Sequence, residues 1–185
     1  MLRQAEALLE NLEAFLLSDQ VFWPMAGAAG SKSPYDLSLG QALLTQDALL
    51  ALVRSSPPDD SARLDSAAQA IGAIRHRWAA AASRKADAEF PQRVNLWRAY
   101  LEEVREKQTS ADEYPHQVRN RVIAQRLLPL MQAVASEPAQ RLQMLDRSLE
   151  RIFQPGGFAW DPGLVSAYPR PQFWFLYGGI RPTPG

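Results

Sequence analysis

From Leu64 to Val104 the apolar residues return every three or four positions: Leu64, Ala67, Ile71, Ile74, Trp78, Ala82, Ala86, Phe90, Val94, Trp97, Leu101 and Val104. Such a stripe fits one face of an α-helix, whose turn holds about 3.6 residues, and does not fit a strand, which alternates every second residue. Pro91 lies inside the run. A proline in a helix interior removes a backbone hydrogen bond and clashes one turn back, at about 3 kcal/mol. Because the apolar phase survives across Pro91, the expectation is one long helix kinked near residues 87–91, with two helices joined there as the alternative. A helix with one apolar face must bury it against other elements.

The same spacing recurs on both sides. Leu2, Ala5, Leu9, Leu12 and Leu16, widened by Leu8 and Phe15, predict an N-terminal helix that ends between Ser18 and Gln20, ahead of Trp23-Pro24. Ser38 with Gln41 matches a capping box, Asp36 being a competing cap, and Leu39, Ala42, Leu43, Leu49, Leu50 and Val53 mark the helix that follows. Pro57 and Pro58 cannot continue that helix, whereas Asp59, Asp60 and Ser61 suit the start of the next. Ser110 and Glu113 form another capping pattern. Capping by Asp112 is the alternative and puts Pro115 in the first turn. Val118, Val122, Leu127, Leu128, Met131 and Val134 extend that helix, with a bend at Pro129. Pro138 opens the last one, along Leu142, Leu145, Leu149 and Ile152. The expected fold is all-α: a single-domain bundle of five or six mostly antiparallel helices over residues 1–153, with a long kinked central helix.

Residues 154–185 are of another kind. They hold 12 Gly or Pro and 7 of the chain's 17 aromatics. The first number denies a regular helix, and the second argues against free disorder. The expectation is an irregular strap packed on the bundle within the same domain. If "QFWFLYG" (172–178) is extended, Phe173, Phe175 and Tyr177 point one way, and Trp174 and Leu176 the other. Both faces are apolar, so one set needs a cover: the Trp23 loop, a small hairpin with Phe158-Ala159-Trp160, or a second subunit.

Charge is zero overall but uneven. Residues 1–60 carry three basic and eight acidic groups, and residues 61–100 seven basic and three acidic. Oppositely charged segments of one domain tend to lie together. Arginine outnumbers lysine 17 to 3. Arg77, Arg84, Arg98 and Arg105 fall at multiples of seven, along one side of an unbroken helix, and Arg119, Arg121 and Arg126 follow on the next. Guanidinium suits phosphate and carboxylate recognition, but interleaved acids dilute the field, so internal or surface partners are favoured over nucleic acid.

No motif completes a reactive centre. "GAAGSKS" (27–33) lacks the glycine-to-lysine spacing of a phosphate-binding loop, with Gly27 and Gly30 too close, Ser31 before Lys32, and Pro34 where the helix should begin. It reads as an inter-helix loop. "EYPH" (113–116) has one Glu-x-x-His, and the only other histidine is His76, short of what a di-iron bundle requires. Cysteine is absent, which excludes disulfides and thiolate chemistry. Glu102, Glu103 and Glu106 read as a solvated face, with Arg98–Glu102, Glu103–Lys107 and Glu89–Arg93 as exposed pairs. No cofactor or metal ligand set is expected. Glu6, Glu10 and Glu13 interrupt any signal-peptide core, and no apolar window reaches the roughly 18 residues of a membrane span. A cytoplasmic setting is the expectation.

The function expected on these grounds is a non-catalytic helical interaction or scaffold protein, bound to a protein partner or to itself. Its candidate contacts are Trp174, Phe175, Leu176 and Tyr177 of the strap and Arg77, Arg84 and Arg98 of the helix surface. Alternatives are a ligand-binding protein or enzyme with a pocket between bundle and strap, and arginine-mediated nucleic-acid binding.

Overall fold

The computed structural model describes residues 1–24, 37–106, 111–132 and 137–180. The 27–36 loop, Lys107, Ser110, Val134 and residues 181–185 lie outside the described residues. The chain is mostly helical, with one small two-strand sheet. The helices are α1 (Leu2–Leu17), α2 (Leu39–Val53), α3 (Pro58–Arg77), α4 (Ala79–Arg105), α5 (Tyr114–Leu127) and α6 (Glu137–Glu150). The strands are β1 (Phe153–Phe158) and β2 (Tyr177–Ile180).

Local chemistry accounts for most of the helix ends. Ser38 Oγ accepts from Gln41 N at 3.1 Å and so caps α2. Pro58 opens α3 with Asp59 and Asp60 in its first turn, and Arg75, His76 and Arg77 close it. Both charge signs complement the helix dipole. Pro115 lies in the first turn of α5.

Two helix boundaries differ from the sequence expectation. The long apolar run is two helices, and the joint is at Trp78 (φ −106°, ψ 40°), not at Pro91. The hydrogen-bond ladder crosses that joint, Trp78 N donating to Ile74 O at 3.1 Å and Ala82 N to Trp78 O at 2.8 Å, so the apolar phase continues through a real break. Helix α4 runs through Pro91. Phe90, Val94 and Trp97 beside it are fully buried, and burial of a large side chain returns about 1.5–3 kcal/mol, enough in sum to offset the proline. Helix α5 ends at Leu127, and Leu128–Leu130 form a 3-10 turn, so Leu128 and Met131 do not extend it. Pro129 is the reason.

One apolar core takes residues from every helix and from the C-terminal segment. Helix α2 is the most enclosed: ten of its fifteen residues are buried, and it packs against α1, α3, α4 and α5. A helix apolar on all sides is an interior helix. Its close approach to α5 requires Gly40, where a Cβ would collide with Ile123 and Glu89. The α1–α3 seam carries Glu6–Arg63 at 3.4 Å and Glu13–Arg77 at 3.9 Å, both exposed, pairs of at most about 1 kcal/mol each.

After α6 the chain forms β1, crosses α2 in a 3-10 turn (Pro162–Ala167), makes a second such turn at Trp174–Leu176, and returns as β2. The strands pair antiparallel, Phe153 opposite Ile180 and Phe158 opposite Tyr177, with an irregularity between Pro155 and Phe158. Gly178 has φ +154°, and a Cβ there would strike Gln154 O, so this position demands glycine. The 172–178 stretch is therefore not extended throughout. The turn at 174–176 buries the consecutive Phe175 and Leu176 together, in place of alternating faces.

Candidate functional site

The C-terminal strap is fastened by side chains from both directions. Tyr114, buried at the start of α5, donates from Oη to Phe175 O at 2.6 Å. Trp160 Nε1 donates to Pro115 O at 2.7 Å, and Tyr177 Oη to Tyr168 O at 2.7 Å. Ala159 N donates to Leu176 O at 2.7 Å, closing the sheet end. Arg121 of α5 lies with its guanidinium 4.3 Å from the Phe175 ring centroid. It also forks onto Asp146 of α6, Nε to Oδ1 at 2.7 Å and Nη2 to Oδ2 at 2.8 Å. One arginine thus joins two helices and the strap.

Aromatic rings continue the connection. Trp97 meets Tyr100 and Tyr114 in the bundle, and Tyr114 meets Phe153 at 6.3 Å. From Phe153 the contacts pass through Trp174, Phe175 and Phe173 to Tyr168. Tyr168 touches Phe158 and Trp160, and Phe158 touches Tyr177 at 5.3 Å. Such pairs add about 0.5–1.5 kcal/mol each beyond their buried area.

Where the strap crosses α2 it covers an ionised cluster. Asp47 is 6 % exposed, and its Oδ1 accepts from Arg126 Nη2 of α5 at 2.8 Å. Arg75, from the last turn of α3, and the phenol of Tyr168 face the same carboxyl. Asp47 Oδ2, Arg75 Nε and Arg126 Nε are buried with no hydrogen-bond partner of good geometry. Burial pushes the Asp47 carboxyl up to about 6, against the opposing pull of Arg126 and Arg75. Burial lowers Arg75, as does Arg126, and burial raises the Tyr168 phenol, with Asp47 adding to it. Desolvation outweighs pairing at Asp47 and Arg75.

Two more buried polar networks position the helices. Glu89 of α4 is fully buried and accepts from Ser38 Oγ at 2.8 Å, from Gly40 N at 2.9 Å and from Arg93 Nε at 2.8 Å. Arg93 also donates to Asn120 Oδ1 at 3.2 Å. This carboxylate sits at the N-terminus of α2, where the helix dipole favours a negative charge. The expected exposed Glu89–Arg93 pair is instead an interior one, because the α2 N-terminus docks on it. Lys85, also buried, closes the C-terminal end of α1: it donates to Ser18 O at 2.8 Å and to Gln20 O, above the Phe15 ring. Burial lowers its pKa.

The candidate contacts divide. Phe175 and Leu176 are buried, while Trp174 and Tyr177 are half-buried, as are Phe153, Phe158 and Trp160. Arg84 and Arg98 are exposed on α4, Arg98 pairing with Glu102 at 3.1 Å, and Arg77 belongs to α3 beside Glu13. The break at Trp78 separates Arg77 from the other two. His76 and His116 are exposed on different helices, and among the described residues no three metal-ligating side chains converge. A shallow groove of about 430 Å³ between α1 and α3 is lined by Leu2, Leu9, Ala62 and Ala70 with Glu6 and Arg63, and includes none of the candidate contacts.

Asp47, Arg75 and Tyr168 are absent from the sequence candidates, and Arg126 figures there only as one of a run of arginines. A lone acid inside "LLTQDALLALV" was the available signal, since an ionisable group on an all-apolar helix must find a partner. No family model, curated protein or solved structure matches this chain.

Proposed function

We propose that the protein is a non-catalytic helical interaction module whose contact surface is the outer side of the aromatic strap. One observation carries this reading: Phe153, Phe158, Trp160, Trp174 and Tyr177 stay only partly buried on a segment that the bundle holds in place. Arg170 lies over the Tyr177 ring at 5.7 Å, and Val165 is exposed nearby in the chain. Trp, Tyr and Arg are the side chains that most often dominate protein interfaces, and prior ordering lowers the entropy cost of binding. The partner is a protein surface, a second copy included, and a cytoplasmic setting belongs to the same reading.

Light scattering on the full chain and affinity capture test it, with Trp174→Ala and Tyr177→Ala as variants whose native strap is verified by hydrogen exchange at Ala159 and Leu176. Association that both variants weaken at least tenfold supports the reading. A chain that stays monomeric and captures nothing, or association indifferent to both substitutions, refutes it.

A second reading has its own observation, the unpartnered Asp47 Oδ2, Arg75 Nε and Arg126 Nε beneath the strap. A small ligand offering both a donor and acceptors would satisfy them. Phosphate, simple carboxylates and nucleotides are the probes, and a ligand at about 100 times its Kd raises stability by about 2.7 kcal/mol. No thermal shift with any of them counts against it.

A further inference from the structure

We propose that closure of the C-terminal strap over α2 is coupled to proton uptake at Asp47, making the seam between α2 and the Pro162–Ala167 turn a proton-linked latch. The geometry supplies each part. Asp47 lies on α2, the helix that the turn crosses, and is shut from water, while Tyr168, one residue beyond the turn, is 1 % exposed against it. Oδ1 is engaged by Arg126, and Oδ2 has no donor. The Tyr168 phenol faces the same carboxyl and, as a donor, favours its ionised form. An ionised carboxyl there keeps Oδ2 buried without a well-formed hydrogen bond, a costly arrangement that a proton relieves by removing the charge.

Among the described residues, the charged and titratable groups acting on Asp47 are Arg126 of α5, Arg75 of α3 and Tyr168 of the strap. Arg126 and Arg119 in turn act on Tyr168. Both arginines and the Tyr168 phenol favour the ionised form at Asp47, and burial still prevails.

The direction follows from linkage. With the strap closed the carboxyl titrates near 6, and when water reaches it the value returns toward the ordinary 3.8. The closed state therefore binds the proton more tightly. Closure is favoured at low pH, loses that advantage as pH rises from about 4 to about 6, and is insensitive above. To the extent that the strap supplies the burial, closure is up to about tenfold tighter at pH 5 than at pH 7.5.

Hydrogen exchange, corrected for the intrinsic pH dependence of the amides, reads this in the full chain. Protection at Ala159 and Leu176, amides bonded within the strap, is expected to fall several-fold, up to about tenfold, between pH 5 and pH 7.5. Val94 and Trp97 in α4 keep theirs. Asp47→Asn flattens the strap profile, whereas His76→Gln and His116→Gln leave it, histidine being the other side chain that changes charge in this window. A flat wild-type profile overturns the latch, as does a slope that survives in Asp47→Asn. Should that variant not fold, titration of the Asp47 carboxyl carbon by NMR in the wild-type chain decides: a midpoint near 6 supports the coupling, and one at about 4 sinks it.

Discussion

Replacing Glu89 by alanine removes the buried carboxylate that ties the start of α2 to α4. Glu89 is 0 % exposed, and the variant leaves Ser38 Oγ, the Gly40 N–H and the Arg93 guanidinium without their acceptor. An orphaned buried donor costs about 1–3 kcal/mol, and a buried charge stripped of its counter-ion about 3–5 kcal/mol. These terms overlap, because Arg93 keeps Asn120 and its side chain is 14 % exposed. The expected loss is about 3–5 kcal/mol, a large share of the 5–15 kcal/mol typical of a domain. Glu89→Gln keeps the shape and an acceptor but not the charge, and should lose about 1–2 kcal/mol. Urea unfolding followed by circular dichroism measures both. With a slope of about 1–3 kcal/mol per molar, the alanine variant's midpoint falls by about 1–5 M. A loss below about 1 kcal/mol for Glu89→Ala would refute the reasoning that this carboxylate anchors α2.

Other substitutions test the remaining contacts. Arg121→Met strands Asp146 and removes the guanidinium above Phe175, so a loss of about 3–5 kcal/mol is expected in chemical denaturation. Arg121→Lys gives up the fork and should fall between that variant and wild type. Gly178→Ala forces a side chain against Gln154 O at φ +154°. It should cost about 1–3 kcal/mol, a Tm drop of about 2–4 °C per kcal/mol in a chain of this size. Lys85→Met keeps apolar contact with Phe15 but leaves the Ser18 and Gln20 carbonyls unpaired. A loss of about 1–3 kcal/mol is expected, and fraying at the end of α1 should show in hydrogen exchange.

The three-and-four spacing made the helices legible because each has only one side to bury. Ser38 with Gln41 announced the start of α2, and the structure caps it there. Trp78 could not be read as a break, since its hydrogen bonds and apolar phase both continue across it while only the backbone turns. Pro91 was the stronger local signal and lost to the packing of Phe90, Val94 and Trp97. Tertiary burial overrides local propensity when enough side chains pull the same way.

Arginines were the hardest to read. Sequence spacing singles out Arg77, Arg84 and Arg98, which stand on two helices at the surface. The arginines engaged in the interior are Arg93 and Arg121, with Arg75 and Arg126 at the strap seam, each defined by an acid 4 to 79 residues away. Asp47 and Arg126 have no local relation in the chain, so only the fold shows that they meet. The aromatic tail was legible as ordered from its composition, but the turn at Trp174–Leu176 was not, because alternation is a rule for extended backbone.

The strap is clasped to the bundle through Phe175. NMR cross-relaxation between the Phe175 ring protons and the side chains of Tyr114 and Arg121 in the native chain tests this most directly. Strong cross-peaks to both, with dispersed shifts for residues 158–177, are the predicted result. Their absence, with random-coil shifts over those residues, would contradict it.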